Sequence, residues 1–252
     1  MSIEQYRPRG FNFLPPVVKN LLIINGLFFL ATMTFESVYH IDLADYLGLH
    51  FFESELFKPW QYLTYMFMHG SINHIIFNMF ALWMFGYALE NLWGSKKFLF
   101  YYLATGIGAA IVQTIVVYIS FLHYKSMITP ADIQMVYDNG LKLMQQHLNY
   151  SDPNIGGFNQ ELNSVTVGAS GGVFGILLAF GMMFPNQEIY LYFLFPIKAK
   201  WFVIIYGVAE LIFGVTNTQS NVAHFAHLGG MLFGFILIQM WKKNNTHHNY
   251  FK

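Results

Sequence analysis

Six apolar runs divide the chain, each close to the roughly 20 residues that cross a bilayer as a helix. They extend from about Val17 to Thr34, Ser71 to Asn91, Phe98 to Leu122, Val165 to Phe184, Ala199 to Val215 and Val222 to Trp241. Ser71, after Gly70, is placed as a helix N-cap, and Pro185 stops the fourth run. Between the first two runs lies a loop over 35–70, with Asp42, Asp45, Glu53 and Glu55 among apolar patches. Its Trp60, Tyr62 and Tyr65 suit a membrane interface, so the loop is expected to lie on the membrane rather than in water. A polar insert over 123–164 separates runs three and four and predicts one short helix at about Ile133 to Leu148. Gly94 to Lys97 and Thr216 to Asn221 are expected turns. The pattern predicts an all-α polytopic membrane protein with a tail over 1–16, a six-span domain over 17–241 and a second tail over 242–252.

Composition sharpens this picture. Only 10% of the 252 residues are charged, against roughly 25% in soluble domains. A deficit of that size means that most of the surface faces the lipid bilayer. A net charge of zero gives no footing for nucleic acid, and the absence of cysteine removes disulfides and thiolate chemistry. The polar, Pro-containing segment before Pro16 reads as a cytoplasmic tail rather than a cleaved signal. Arg7, Arg9, Lys19, Lys96, Lys97, Lys198, Lys200, Lys242, Lys243 and Lys252 fall in one set of connections and ends. Only Lys58, Lys125 and Lys142 fall in the other, which predicts that both termini are cytoplasmic.

Polar residues inside the runs carry the candidate chemistry, because such groups must face each other or a wet cavity. His74, Asn78, Ser170 and His227 all fall a few residues into runs two, four and six, about 5–10 Å below the outer face. Ser170 sits in Gly168-Ala169-Ser170-Gly171-Gly172, where Gly168/Gly172 and Gly171/Gly175 have the spacing of close helix packing. Packing alone is the plain reading of those glycines. Ala223, His227, Gly230 and Gly234 form one stripe on run six, able to bring an imidazole against that glycine face. His227 is then a general base for a Ser170 nucleophile. Free N–H groups where the helix of Ser170 starts favour an oxyanion, and His74 and Asn78, one turn apart, can donate to it. Phe174 could stack on the His227 ring and hold it. His69 is placed near the surface end of run two, where it would brace the loop, and His224 is read as a structural or rim residue. Glu90 and Glu210 read as protonated or paired structural residues. No carboxylate is expected to orient His227, so serine and histidine form a dyad.

The motifs His69-Gly-Ser-Ile-Asn-His74-Ile-Ile-Phe-Asn78, Gly168-Ala-Ser170-Gly171-Gly-Val-Phe174-Gly175 and Ala223-His-Phe-Ala-His227-Leu-Gly-Gly230, in that order, resemble the rhomboid family of intramembrane serine proteases. The resemblance spans runs two to six. It implies the basic six-helix bacterial form in an inner membrane, with Ser170 as nucleophile and His227 as general base. His74, Asn78 and the Ser170 backbone N–H would form the oxyanion site, and His69 would be a buried support. The substrates it implies are single-pass membrane proteins, cut near the outer face without cofactor or metal. Trp60-Gln61 stands where many members have Trp-Arg, and the insert is longer than the minimal connection. Two other readings are a non-proteolytic scaffold that binds membrane helices, and a metal or transport site on His69, His74, His224 and His227. The second would need carboxylates or cysteines at matching depth, and none is expected there.

Overall fold

The computed structural model describes residues 12–191, 195–216 and 223–249. Most of the expected N-terminal tail, the turn after Thr216 and the last C-terminal residues therefore lie outside the described residues. The chain is all-α, and among the described residues five helices are long and apolar enough to cross a membrane.

Helix α1 (Pro16–Thr34) opens with proline at its first position, where a missing N–H costs nothing. The Glu90 carboxylate accepts from Val17 N at 3.0 Å, Val18 N at 2.8 Å and Ser95 Oγ at 2.6 Å. Glu90 is therefore a paired structural residue that caps one helix from another. After a π-helical turn (Phe35–Tyr39), the first loop contains α2 (Ala44–Leu47), strand β1 (Leu49–His50), α3 (Gln61–Thr64) and a 3-10 turn (Tyr65–Phe67). Gln61 is fully buried in it. Its Oε1 accepts from the backbone N–H groups of His50 and Lys58, and its Nε2 donates to the Leu56 and Tyr46 carbonyls. A neutral amide, with donors and acceptors both satisfied, anchors this loop where a guanidinium could only donate.

Helix α4 (Ile72–Trp93) starts at Ser71, whose Oγ accepts from His74 N, and ends at Gly94 with φ 80°. Helix α5 (Ser95–Lys125) follows directly and overruns the expected third span at both ends. The insert holds two helices rather than one. Thr129 and Asp132 make a capping box for α6 (Pro130–Gln145), and Asp152 caps α7 (Pro153–Asn163). Phe121 of α5, Val136 of α6, Phe158 and Leu162 of α7 and Phe51 of the first loop close a separate apolar cluster. Tyr137 donates to Glu53 and Gln145 to Asp45, so the insert is fastened to the first loop.

The fourth span is shorter than expected. Val165–Thr166 form strand β2, antiparallel to β1, and Gly168 has φ 134°, so helix α8 runs only over Ser170–Met183. Fourteen residues rise about 21 Å. Helix α8 forms the centre of the bundle, with ten of its residues buried. A hairpin, β3 (Glu188–Leu191) with β4 (Phe195–Lys198), joins it to α9 (Ala199–Thr216), and α10 (His224–Asn249) closes the bundle. Ile204, Ile205, Val208 and Ile212 of α9 and Ile23, Leu27 and Leu30 of α1 face outward, as lipid-facing positions do.

Candidate active site

The segment before α8 is held from three sides. The β1–β2 ladder fixes Val165 and Thr166, Gly168 N donates to Tyr65 O at 2.9 Å, and Tyr65 OH donates to Gly106 O at 2.7 Å. Gly168 is required twice over. Its φ suits only glycine, and a Cβ there would meet the His74 ring at 2.8 Å. Ser170 occupies the first helical position of α8, with no side-chain cap before it. The N–H groups of that first turn have no intrahelical acceptor and carry the positive end of the helix dipole.

Helix α10 meets α8 through glycine. A Cβ on Gly230 would run into the Gly171 carbonyl oxygen, and one on Gly234 would meet Tyr101 OH and the Gly175 backbone. This closeness brings His227 Nε2 to 2.8 Å from Ser170 Oγ. Phe174 lies parallel to the His227 ring, centroids 4.1 Å apart and planes within 5°, and Tyr206 of α9 stacks on its other side at 5.1 Å.

The other ring nitrogen of His227 is also engaged. Its Nδ1 lies 2.9 Å from Glu210 Oε2, and His224 Nδ1 lies 2.7 Å from the same oxygen. This overturns the expectation that no carboxylate stands near the imidazole. Glu210 lies seven residues before the connection at 217–222 and His227 five after it, so on antiparallel helices they reach nearly the same level. His224 is likewise buried at the carboxylate, the structural rather than the rim place expected of it. The three ligand-type atoms lie within 4.8 Å of one another, a spacing that could hold a metal ion.

His74 and Asn78 share one face of α4 and line the same cavity as Ser170 and His227. Asn78 Nδ2 donates one proton to His74 O at 2.9 Å, which leaves its second for a ligand. The cavity, about 1900 Å³, runs between α4 and α9, from Gln160 and Ser164 of the insert side to Phe85, Phe180 and Phe202.

His69, just before α4, is buried at 4% exposure, as the family resemblance implies, and its ring stands 5.1 Å from that of His74. Among the described residues, neither ring nitrogen has a well-formed hydrogen bond, the Phe67 backbone giving only a weak one. Burial first, then the neighbouring His74, pushes the His69 imidazole down from 6.5 to about 4, partly offset by the Phe67 backbone. The unfolded chain therefore binds an extra proton between those values, and the folded protein loses stability as pH falls through them. At about 1.4 kcal/mol per unit, the loss is on the order of 3 kcal/mol. His69→Phe is expected to flatten this part of the profile. Thermal unfolding in detergent at pH 7 and pH 5 checks it, and equal pH slopes for both proteins would contradict it.

A family model described as "Eukaryotic integral membrane protein (DUF1751)" matches residues 20–250. Among curated proteins, rhomboid protease GluP of Bacillus subtilis is 29% identical over 70% of this chain and 25% of its own length. Rhomboid-like protein 11, chloroplastic, of Arabidopsis thaliana is 26% identical over 87% of this chain and 66% of its own length. An uncharacterized mitochondrial rhomboid protein of Schizosaccharomyces pombe is 34% identical, over 32% of this chain and 22% of its own length. The chain thus spans a quarter or less of two of these relatives and about two thirds of the other.

Proposed function

We propose that this chain, which belongs to the family of integral membrane proteins matched above and, with its relatives, to the rhomboids, is an intramembrane serine endopeptidase. The observation that carries the reading is the 2.8 Å approach of Ser170 Oγ to His227 Nε2 in a cavity lined by further donors. His227 takes the Ser170 proton as Oγ attacks a peptide carbonyl, then gives it to the leaving amine. His74, the second Asn78 N–H and the Ser170 backbone N–H receive the charge that develops on the carbonyl oxygen. Water then attacks the acyl ester through the same imidazole. Neither a cofactor nor a metal takes part.

The substrates in this reading are single-pass membrane proteins, entering between α4 and α9 and unwinding locally, because an intact helix keeps its carbonyls bonded. The distribution of Lys and Arg supports cytoplasmic termini, with the cavity mouth on the other face in this reading. The six-span count takes α8 as the sixth crossing, although its length is below that of the other five. The bacterial inner membrane rests on the family resemblance alone. The relatives are bacterial, mitochondrial and chloroplastic.

The test is cleavage of a single-pass reporter by the purified chain in liposomes, with and without a chelator. Chelator-insensitive cleavage at one bond near the membrane face is expected. An intact reporter bound by the protein would favour a helix-binding scaffold instead. Helix α9 is the candidate gate. Of Trp201, Phe202, Tyr206 and Phe213, the cavity is lined by Phe202 and Tyr206. Tyr206 also supports Phe174, so Phe202→Ala is the cleaner opening. Several-fold faster initial cleavage is expected if entry limits the rate. An unchanged or slower rate counts against α9 as the gate.

A further inference from the structure

We propose that Glu210 is a positioning residue for the Ser170–His227 pair, making the site a relay of four side chains: Ser170, His227, Glu210 and His224. The proposal rests on the peptidase reading above. Its basis is geometric. Glu210 is buried on α9, and one of its oxygens lies within hydrogen-bond distance of two imidazoles one turn apart on α10. A buried carboxylate needs donors to be tolerated, and His224 alone would supply one. The second donor is the ring whose far nitrogen touches the serine.

That placement fixes proton positions. A carboxylate only accepts, so His227 must carry its proton on Nδ1, which leaves Nε2 as acceptor for Ser170 O–H. When Nε2 takes the serine proton, the new cation lies against an existing negative charge. The Phe174 ring holds the imidazole from its face and Glu210 holds it from its edge, so rotation and tilt are both constrained. His224 draws on the same oxygen and weakens its hold on His227.

The ionisable groups around the pair are Tyr206 on α9, His224 on α10 and His74 on α4, with the Ser170 hydroxyl on α8. Helix α5 packs against α10 through Ala109, Val112 and Gly229, and on the far side of His224 a second hollow is lined by His123 and Tyr124 of α5 and Glu161 of α7.

The test uses the full chain in liposomes with the cleavable reporter. Glu210→Gln keeps size and an acceptor but removes the charge. It should lower kcat by about 10²- to 10⁴-fold, the upper figure being that for the analogous Asp→Asn change in a soluble serine protease, while KM stays within about threefold because no substrate contact is lost. The acid limb of kcat/KM should move to lower pH, since the imidazolium loses its counter-charge. His224→Ala keeps Glu210 in place and should move that limb the other way, which tests the relay even if Glu210→Gln folds poorly. Unchanged kcat and unchanged acid limbs in both variants, beside an active parent chain, would overturn the role of Glu210 and leave the peptidase reading standing. Loss of parent activity on chelation, restored by zinc, would also overturn it in favour of a metal at these three residues. A parent chain that neither cleaves nor reacts with a fluorophosphonate would defeat the peptidase reading itself.

Discussion

Ser170→Ala is expected to leave a folded protein that no longer cleaves the reporter. The substitution removes one hydroxyl and one hydrogen bond, worth about 1 kcal/mol to stability. Ser170 Oγ is nevertheless the nucleophile in the proposed reaction, and its His227 contact supplies the base. Losing either member of such a pair costs on the order of 10⁶ in kcat in a soluble serine protease. Cleavage should therefore fall below detection, and labelling by a fluorophosphonate should vanish with it. His227→Ala should give the same loss of cleavage and of labelling for another reason, because the hydroxyl remains but is not activated. It should also destabilise more, since it strips Phe174 of its stacked partner and leaves Glu210 with one donor fewer. Residual cleavage near the parent rate in either variant would refute the assignment.

Gly230→Ala is expected to have the next largest effect, although it touches no reacting atom. The added methyl would run into the Gly171 carbonyl oxygen, and backbone cannot rotate aside as a side chain can. Helix α10 must move away from α8, carrying His227 with it. Overpacking of this kind costs about 1–3 kcal/mol, and a misplacement of about 1 Å can cost 10²-fold in rate. Gly26→Ala is the control, because nothing lies within 4 Å of a Cβ there. It should be neutral or slightly stabilising, by up to about 1 kcal/mol from helix propensity. Thermal unfolding in detergent and reporter cleavage, measured on both variants, separate the two cases. Equal behaviour of both would show that the glycine contact does not set the distance.

Much of this architecture was legible because hydrocarbon imposes a simple rule on sequence. Long apolar runs gave α1, α4, α5 and α9 to within a few residues and the start of α10, which continues past Trp241 to Asn249, and the glycines of α8 and α10 announced a close approach. The shortness of α8 was hidden, because Val165 to Val167 are apolar whether they continue a helix or pair as a strand. Only their partners, Leu49 and His50, a hundred residues away, decide it. The second insert helix had a local signal in Asp152-Pro153, an N-cap followed by proline, which loop-like composition masked. Glu210 was legible as a paired residue, but its partners were not, because its level relative to His227 follows from the connection that α9 and α10 share and not from its own run. Gln61 shows the same limit, since a neutral residue at a position of expected charge reveals its use only when its four backbone partners are known.

The brevity of α8 has a further consequence. Because its neighbours wrap it, this helix does not have to match the thickness of the lipid around it, and its length is free to serve another end. It acts as a spacer, standing on one side of the bilayer and holding a hydroxyl at a set height above its base. Four residues added within it would lift that hydroxyl by about 6 Å, and a different bond of an entering polypeptide would be offered for attack. The site of scission would then be dictated by the stature of a single interior post, independently of any recognition of sequence.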